Sequence, residues 1–279
     1  MLSKPPLPFL GNKSVAKDKL MSIFERIDDS VDIAVDLFGG SFYLAYLFKC
    51  VHPQCQLIVN DYDDYLERLK HIDETELLRQ RLLNYLGPRY SYTEKLPPES
   101  KAEVLKIIIE HERSFHYVDY LTISTYLLFS GNYANTFEEL EKFAFYVRTA
   151  STPLMTWEDV KANYLNGLRI VRGDWKEVFN ATCDIQDVFY LLDPPYLYTM
   201  TTGYSSFNPL YFKLSEWLDI ILILRDYTSI LFSSTKSGTV EIIEWLNRRV
   251  HAGIPCQVIP YKQSTINNTK NEEYFIMNV

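Results

Sequence analysis

Residues 31–62 read VDIAVDLFGGSFYLAYLFKCVHPQCQLIVNDY, and this stretch decides the fold class. Val31 to Phe38 is β-rich and ends at Gly39-Gly40. Phe42 to Val51 is strongly apolar, which predicts a buried helix, and Gln56 to Tyr62 predicts a second short strand. Ahead of them, Ser14 can cap a helix running to about Ile27, with Val15, Leu20, Ile23, Phe24 and Ile27 roughly on one face. Helix, strand, glycine turn, helix, strand is the opening of a doubly wound parallel sheet.

Working outward, the middle of the chain changes character. Asp63 to Leu86 is a long, charged, amphipathic helical stretch, broken at Gly87-Pro88 and again at Leu96-Pro97-Pro98. Glu99 to Arg113 reads as helix, and Phe115 to Phe129 is rich in aromatics, Ser and Thr. Strand–helix alternation is absent from about Leu66 to Ala162, so 66–162 is expected to be an inserted helical unit. Residues 1–65 and 163–279 form the α/β domain around it. Alternation resumes with a strand at Val188 to Leu192, a helix at Leu214 to Arg225 and a strand at Thr228 to Ser234. A helix at Gly238 to Val250 follows, then strands at Cys256 to Tyr261 and Glu273 to Val279. These last two strands lie close enough, across NNTKN, to form a hairpin.

The 279 residues are 47% hydrophobic and 23% charged, which excludes a disordered or fibrous chain. A net charge of −8 gives no overall basic footprint, so any nucleic-acid contact must gather its Lys and Arg locally. The 21 Tyr, 16 Phe and 4 Trp are either core or a surface on which bases stack. Cys50, Cys55, Cys183 and Cys256 make no CxxC pair, and no metal site is expected. The first ten residues lack an apolar signal region, and no run is long enough to span a membrane. A reducing, cytoplasmic setting is the expectation.

Five short segments could carry chemistry. Asp36-Leu37-Phe38-Gly39-Gly40-Ser41-Phe42 is a strand-to-helix turn that either closes tightly or admits a ligand against its backbone. Asp61, after Asn60 at the end of the second strand, either caps the next helix or accepts from ribose hydroxyls. Asp193-Pro194-Pro195-Tyr196 ends an apolar strand. Its prolines fix the backbone and remove two N–H donors, leaving a carboxylate, carbonyls and an aromatic face. The segment is either a plain strand-ending turn or an array suited to an exocyclic amine. Pro8-Phe9-Leu10-Gly11-Asn12-Lys13 is either a solvated arm or a lysine poised before a helix. Gly173-Asp174-Trp175 is a turn, or an acid beside an aromatic that meets a purine.

In this order the five segments resemble those of the Dam-type DNA adenine-N6 methyltransferases. P-F-L-G-N-K looks like that family's N-terminal cofactor motif, D-L-F-G-G-S-F like its glycine loop, N-D-Y like its ribose-binding turn and D-P-P-Y like its catalytic tetrapeptide. Phe42 stands where the family places its last glycine, and the insertion lacks the Asn-Arg and F-N-V-P-type elements of GATC readers. The resemblance implies a Rossmann-like methyltransferase fold using S-adenosylmethionine, with double-stranded DNA as partner. It implies cofactor contacts from Phe9, Gly11, Lys13, Asp36, Phe38, Gly39, Gly40, Ser41, Asp61, Asp174 and Trp175. Asp193, Pro194, Pro195 and Tyr196 would hold a flipped adenine. The insertion would meet DNA through Arg79, Arg81, Arg89 and Lys95, near Tyr85, Tyr90 and Tyr92. The segment Thr199 to Phe207 is expected to close over the base, with Tyr204 or Phe207 near the pocket. Methylation of another amine (cytosine N4, RNA) or a weakly catalytic cofactor-binding module on the same fold are the alternatives.

Overall fold

A computed structural model describes residues 1–195, 212–249, 253–266 and 269–278, apart from residues 12, 29, 130 and 150. For 236, 263–266 and 269–271 it describes the backbone alone. In chain order the first α/β elements are α1 (Lys17–Phe24), β1 (Ile33–Asp36), α2 (Tyr43–Val51) and β2 (Gln56–Asn60). Helices α3 (Tyr65–Lys70), α4 (Ile72–Leu86), α5 (Pro98–Phe115), α6 (Tyr120–Leu127), α7 (Phe137–Leu140) and α8 (Trp157–Asn163) follow. The chain then returns through β3 (Leu168–Val171), α9 (Trp175–Asn180), β4 (Val188–Leu192), α10 (Leu214–Asp226) and β5 (Ser229–Ser234). It finishes with α11 (Thr239–Arg249), β6 (Gln257–Ile266) and β7 (Thr269–Asn278).

Seven strands form one sheet in the order β3-β2-β1-β4-β5-β7-β6. The first five pair in parallel, and β7 enters antiparallel between β5 and β6, closing the expected hairpin. The order reverses between β1 and β4, which opens a crevice beyond the carboxyl ends of those two strands. This is the Rossmann-like α/β architecture that the sequence predicts. No helix among the described residues is long and apolar enough to cross a membrane.

Alternation along the strands builds two cores. Ala34, Leu57, Val59, Phe189, Leu191, Ile230, Phe232 and Phe275 face α1 and α2; Val35, Val188, Tyr190, Leu192, Leu231 and Ile276 face α9, α10 and α11. A third core, from Leu78 to Val147, lies within the helical insertion. Tyr65, Leu69, Ile72, Val160 and Tyr164 pack with the first core instead, so α3 and α8 belong with the sheet.

Three local differences have physical causes. Ser14 opens a 3-10 turn, Ser14–Ala16, and α1 starts at Lys17 without a side-chain cap. The stretch 63–86 divides at His71 into α3 and α4. Strand β3 and helix α9 went unread because LRIV is four residues long, contains an arginine and runs along a half-exposed edge.

The turn after β1 holds a non-glycine residue in a strained conformation. Phe42 sits at φ 61°, ψ 9°, the left-handed region. This conformation favours glycine and costs an L-residue about 1–2 kcal/mol. Burial offsets it: Phe42 is 0% exposed and meets the Tyr65 ring edge-on, 5.3 Å between centroids. The backbone therefore takes at Phe42 a conformation that favours glycine, which is where the resemblance places one. Phe42→Gly and Phe42→Ala both lose packing worth about 3–5 kcal/mol. Only the alanine keeps the strain, so Phe42→Gly should be more stable than Phe42→Ala by about 1 kcal/mol in urea unfolding. The opposite order would show that Phe42 carries no strain.

Candidate active site

Parallel pairing sets Asp36 of β1 opposite Leu191 of β4, two residues before Asp193. The Leu37 N–H donates to the Leu191 carbonyl at 3.3 Å. The two carboxylates thus leave neighbouring strand ends at the crevice. Gly39 and Gly40 cross its floor. A Cβ on Gly39 would lie 2.6 Å from Val59 Cγ1 and 2.7 Å from the Asn60 carbonyl oxygen, so no side chain fits. Gly40 has φ 48°, and a Cβ there would lie 3.0 Å from the Phe9 ring.

Three residues hold this floor, and only one was singled out in the sequence. Asn60 Nδ2 donates to the Leu37 carbonyl at 3.1 Å, and its Oδ1 accepts from the Gly173 N–H at 3.1 Å. It thereby ties the ends of β1, β2 and β3. Tyr164 donates to the Ser41 carbonyl at 2.6 Å, and Trp217 Nε1 donates to the Pro195 carbonyl at 3.1 Å. No local pattern marks those last two, because each reaches its partner from a distant helix.

Charge concentrates where the strands end. Lys13 Nζ bonds Asp193 Oδ2 at 2.5 Å and the Gly11 carbonyl at 2.9 Å, with the Phe232 ring centroid 5.4 Å away. The Lys13 side chain is 8% exposed and that of Asp193 18%. Burial raises the Asp193 carboxyl above its ordinary range, and the Lys13 charge opposes it. Asp36 is fully buried. Burial first, then repulsion from Asp193, pushes its carboxyl up to about 7, against the Phe38 N–H and Lys13. Asp36 Oδ1 accepts from that N–H at 3.2 Å, while Oδ2 has no hydrogen-bond partner among the described residues. A buried carboxylate oxygen without a donor is an opening for a cation or an N–H. This contact between Lys13 and Asp193, across most of the chain, left no trace in the sequence pattern.

The other acidic residues serve as caps. Asp61 accepts from the N–H groups of Tyr65, at 2.7 Å, and Leu66, at 3.0 Å. Its carboxyl is raised by burial, against these two bonds. Each carboxylate oxygen has a second lone pair, so capping leaves acceptor capacity for hydroxyls. Asp174 caps α9 by accepting from the Lys176 N–H at 2.8 Å. Trp175 is buried, packed between Phe38 and Phe212 at 5.8 and 6.3 Å.

On the insertion, Arg79 is corrected. It is 3% exposed and its Nε and Nη2 hold Glu76 at 2.6 and 2.7 Å, so it builds the packing of α4 and offers no cation to a phosphate. Arg81 reaches outward, paired with Glu110 at 2.8 Å. Arg89 lies over the Tyr85 ring at 4.5 Å and donates to the Tyr85 carbonyl at 2.6 Å. Lys95 is exposed, in an isolated bridge to Tyr146. Tyr196, Tyr204, Phe207 and the rest of the expected closing segment lie outside the described residues.

Comparison with known proteins bears on this arrangement. Residues 9–239 match the family described as D12 class N6 adenine-specific DNA methyltransferase. A Haemophilus influenzae protein (strain ATCC 51907 / DSM 11121 / KW20 / Rd) named "Putative methyltransferase" is 33% identical over 245 residues, covering 87% of this chain and 78% of that protein. The family match takes in the glycine floor, Lys13, both carboxylates and the insertion, and on that extent the chain belongs to the D12 class N6 adenine-specific DNA methyltransferase family.

Proposed function

We propose that the chain transfers a methyl group from S-adenosylmethionine to the N6 amine of an adenine extruded from duplex DNA. The observation that carries this reading is the meeting, at adjoining strand ends, of the Asp36 carboxylate and glycine floor with the D-P-P edge. The unpartnered, buried Asp36 Oδ2 fits a ligand that brings positive charge, and S-adenosylmethionine carries both an ammonium and a sulfonium. Phe9, Gly11, Lys13, Phe38, Gly39, Gly40 and Ser41 would surround its methionine end, Asp61 its ribose, and Asp174 and Trp175 its adenine. Bound there, the cofactor supplies an activated methyl group on sulfur.

The chain's own residues then have defined tasks. N6 of a paired adenine lies inside the base stack, so the target must leave the duplex. Lys13 holds Asp193 Oδ2, so the amine would donate to Oδ1 and to the Pro194 carbonyl. Two accepted hydrogen bonds turn the N6 lone pair out of the ring plane, toward the cofactor side. Trp217 fixes the edge that does this through the Pro195 carbonyl. The raised proton affinity of Asp193 suits a group that holds an amine giving up a proton. Tyr196 follows Pro195 directly and would stack on the base. Most of the acceleration comes from positioning. Arg81, Arg89 and Lys95 would meet phosphates and Tyr204 would lie by the flipped base, in the cytoplasm where DNA is at hand.

Expression in a host whose DNA lacks methylation, followed by complete digestion of that DNA, should yield N6-methyladenine. N4-methylcytosine or an unmodified digest would contradict the reading. Asp193→Ala should lower methyl transfer on the order of a hundredfold or more while S-adenosylmethionine binding persists. Full transfer by that variant would remove Asp193 from the chemistry.

A further inference from the structure

Arg68 lies on α3, one turn beyond Tyr65, and is 6% exposed. Its Nε donates to both carboxylate oxygens of Asp119, at 3.2 and 3.1 Å. Its Nη2 donates to the Pro8 carbonyl at 2.8 Å and to Thr122 Oγ1 at 3.3 Å. Asp119 caps α6 and Thr122 is in its first turn, so both belong to the inserted helices. Pro8 belongs to the amino-terminal arm. One planar guanidinium therefore holds the arm, the helix after β2 and the insertion together.

Tyr65 completes the grip. Its hydroxyl accepts from the Leu7 N–H at 3.1 Å and donates to the Leu7 carbonyl at 3.0 Å. Phe9 meets the Tyr65 ring edge-on at 5.7 Å and lies over Gly40. A few residues further along the same arm, Lys13 reaches Asp193. The start of α6 is thus linked, through Arg68 and Pro8, to the segment that carries the ammonium to the D-P-P edge. Arg68 Nη1 is buried with no partner among the described residues, which leaves the fork a donor with which to hold a second arrangement.

We infer that Arg68 is a positioning residue that couples the inserted helices to the Lys13–Asp193 pair through the amino-terminal arm. DNA engaged by the insertion and cofactor held at the strand ends then alter each other's affinity, by the same factor in both directions. The identity of the two ligands rests on the proposed function; the coupling rests on the Arg68 contacts. A lysine would keep the charge, but a single ammonium cannot serve a carboxylate, a hydroxyl and a carbonyl in one plane.

The test uses the full chain, S-adenosylhomocysteine as a ligand that cannot turn over, and sheared genomic DNA from a methylation-free strain. Calorimetric titration with and without DNA should show a shift in wild-type Kd of about fivefold or more. Arg68→Lys should reduce that shift below about twofold while each binary affinity stays within about twofold of wild type. Thr122→Val leaves the ion pair in place, and should weaken the shift at least about twofold; it decides the matter should Arg68→Lys not fold. Coupling preserved in the variants, or no coupling in the wild type, overturns the inference. Loss of both binary affinities with the shift retained shows a merely structural role and overturns it too. A wild type that binds no S-adenosylhomocysteine overturns the proposed function itself, and with it this inference.

Discussion

Two carboxylates and one ammonium meet where β1 and β4 end, and the rest of the site is arranged around that imbalance. Parallel pairing leaves no alternative placement: once Asp36 lies opposite Leu191, Asp193 must emerge beside it. Lys13 forms its ion pair with Asp193, and burial together with the Asp193 charge outweighs the Lys13 charge at Asp36, whose carboxyl rises to about 7. Its proton affinity is higher folded than unfolded. Its contribution to stability is therefore complete below about pH 4 and is lost as pH rises toward 7. A site that destabilises its own fold at neutral pH is stabilised by a cationic ligand, which is the character of a sulfonium cofactor.

The scaffold keeps this imbalance open by fixing backbone. Asn60 ties three strand ends, Tyr164 holds Ser41 and Trp217 holds Pro195. Phe42 stays in a left-handed turn because its ring is buried against Tyr65. These contacts use side chains that are themselves enclosed, so the floor does not depend on solvent-exposed links. The insertion contributes its own core, and reaches the site through Arg68 and the arm.

The fold was legible wherever hydrophobic period and glycine turns agreed. VFYLL at Val188 to Leu192 became β4 with the same bounds, and the glycine pair marked the crevice. β3 was illegible because four half-exposed residues with an arginine carry no period. At the site, the order of motifs pointed to the family, and Asp36, Asn60 and Leu192 end strands that neighbour one another in the sheet. What the sequence could not show is pairing across distance. Lys13 with Asp193, Tyr65 with Leu7 and Arg68 with Asp119 exist only once the sheet has formed. Arg79 misled for a related reason: its charge suggested surface, but Glu76 one turn earlier neutralises it inside.

The central claim is that an underneutralised Asp36 receives the cofactor's positive charge. Calorimetry of S-adenosylmethionine binding at pH 7, repeated in buffers of different ionisation enthalpy, counts the protons exchanged. With its carboxyl raised to about 7, Asp36 should release a fraction of a proton on binding, and Asp36→Asn should abolish that release. Binding that releases no proton from the wild type, or the same number from Asp36→Asn, would contradict the account.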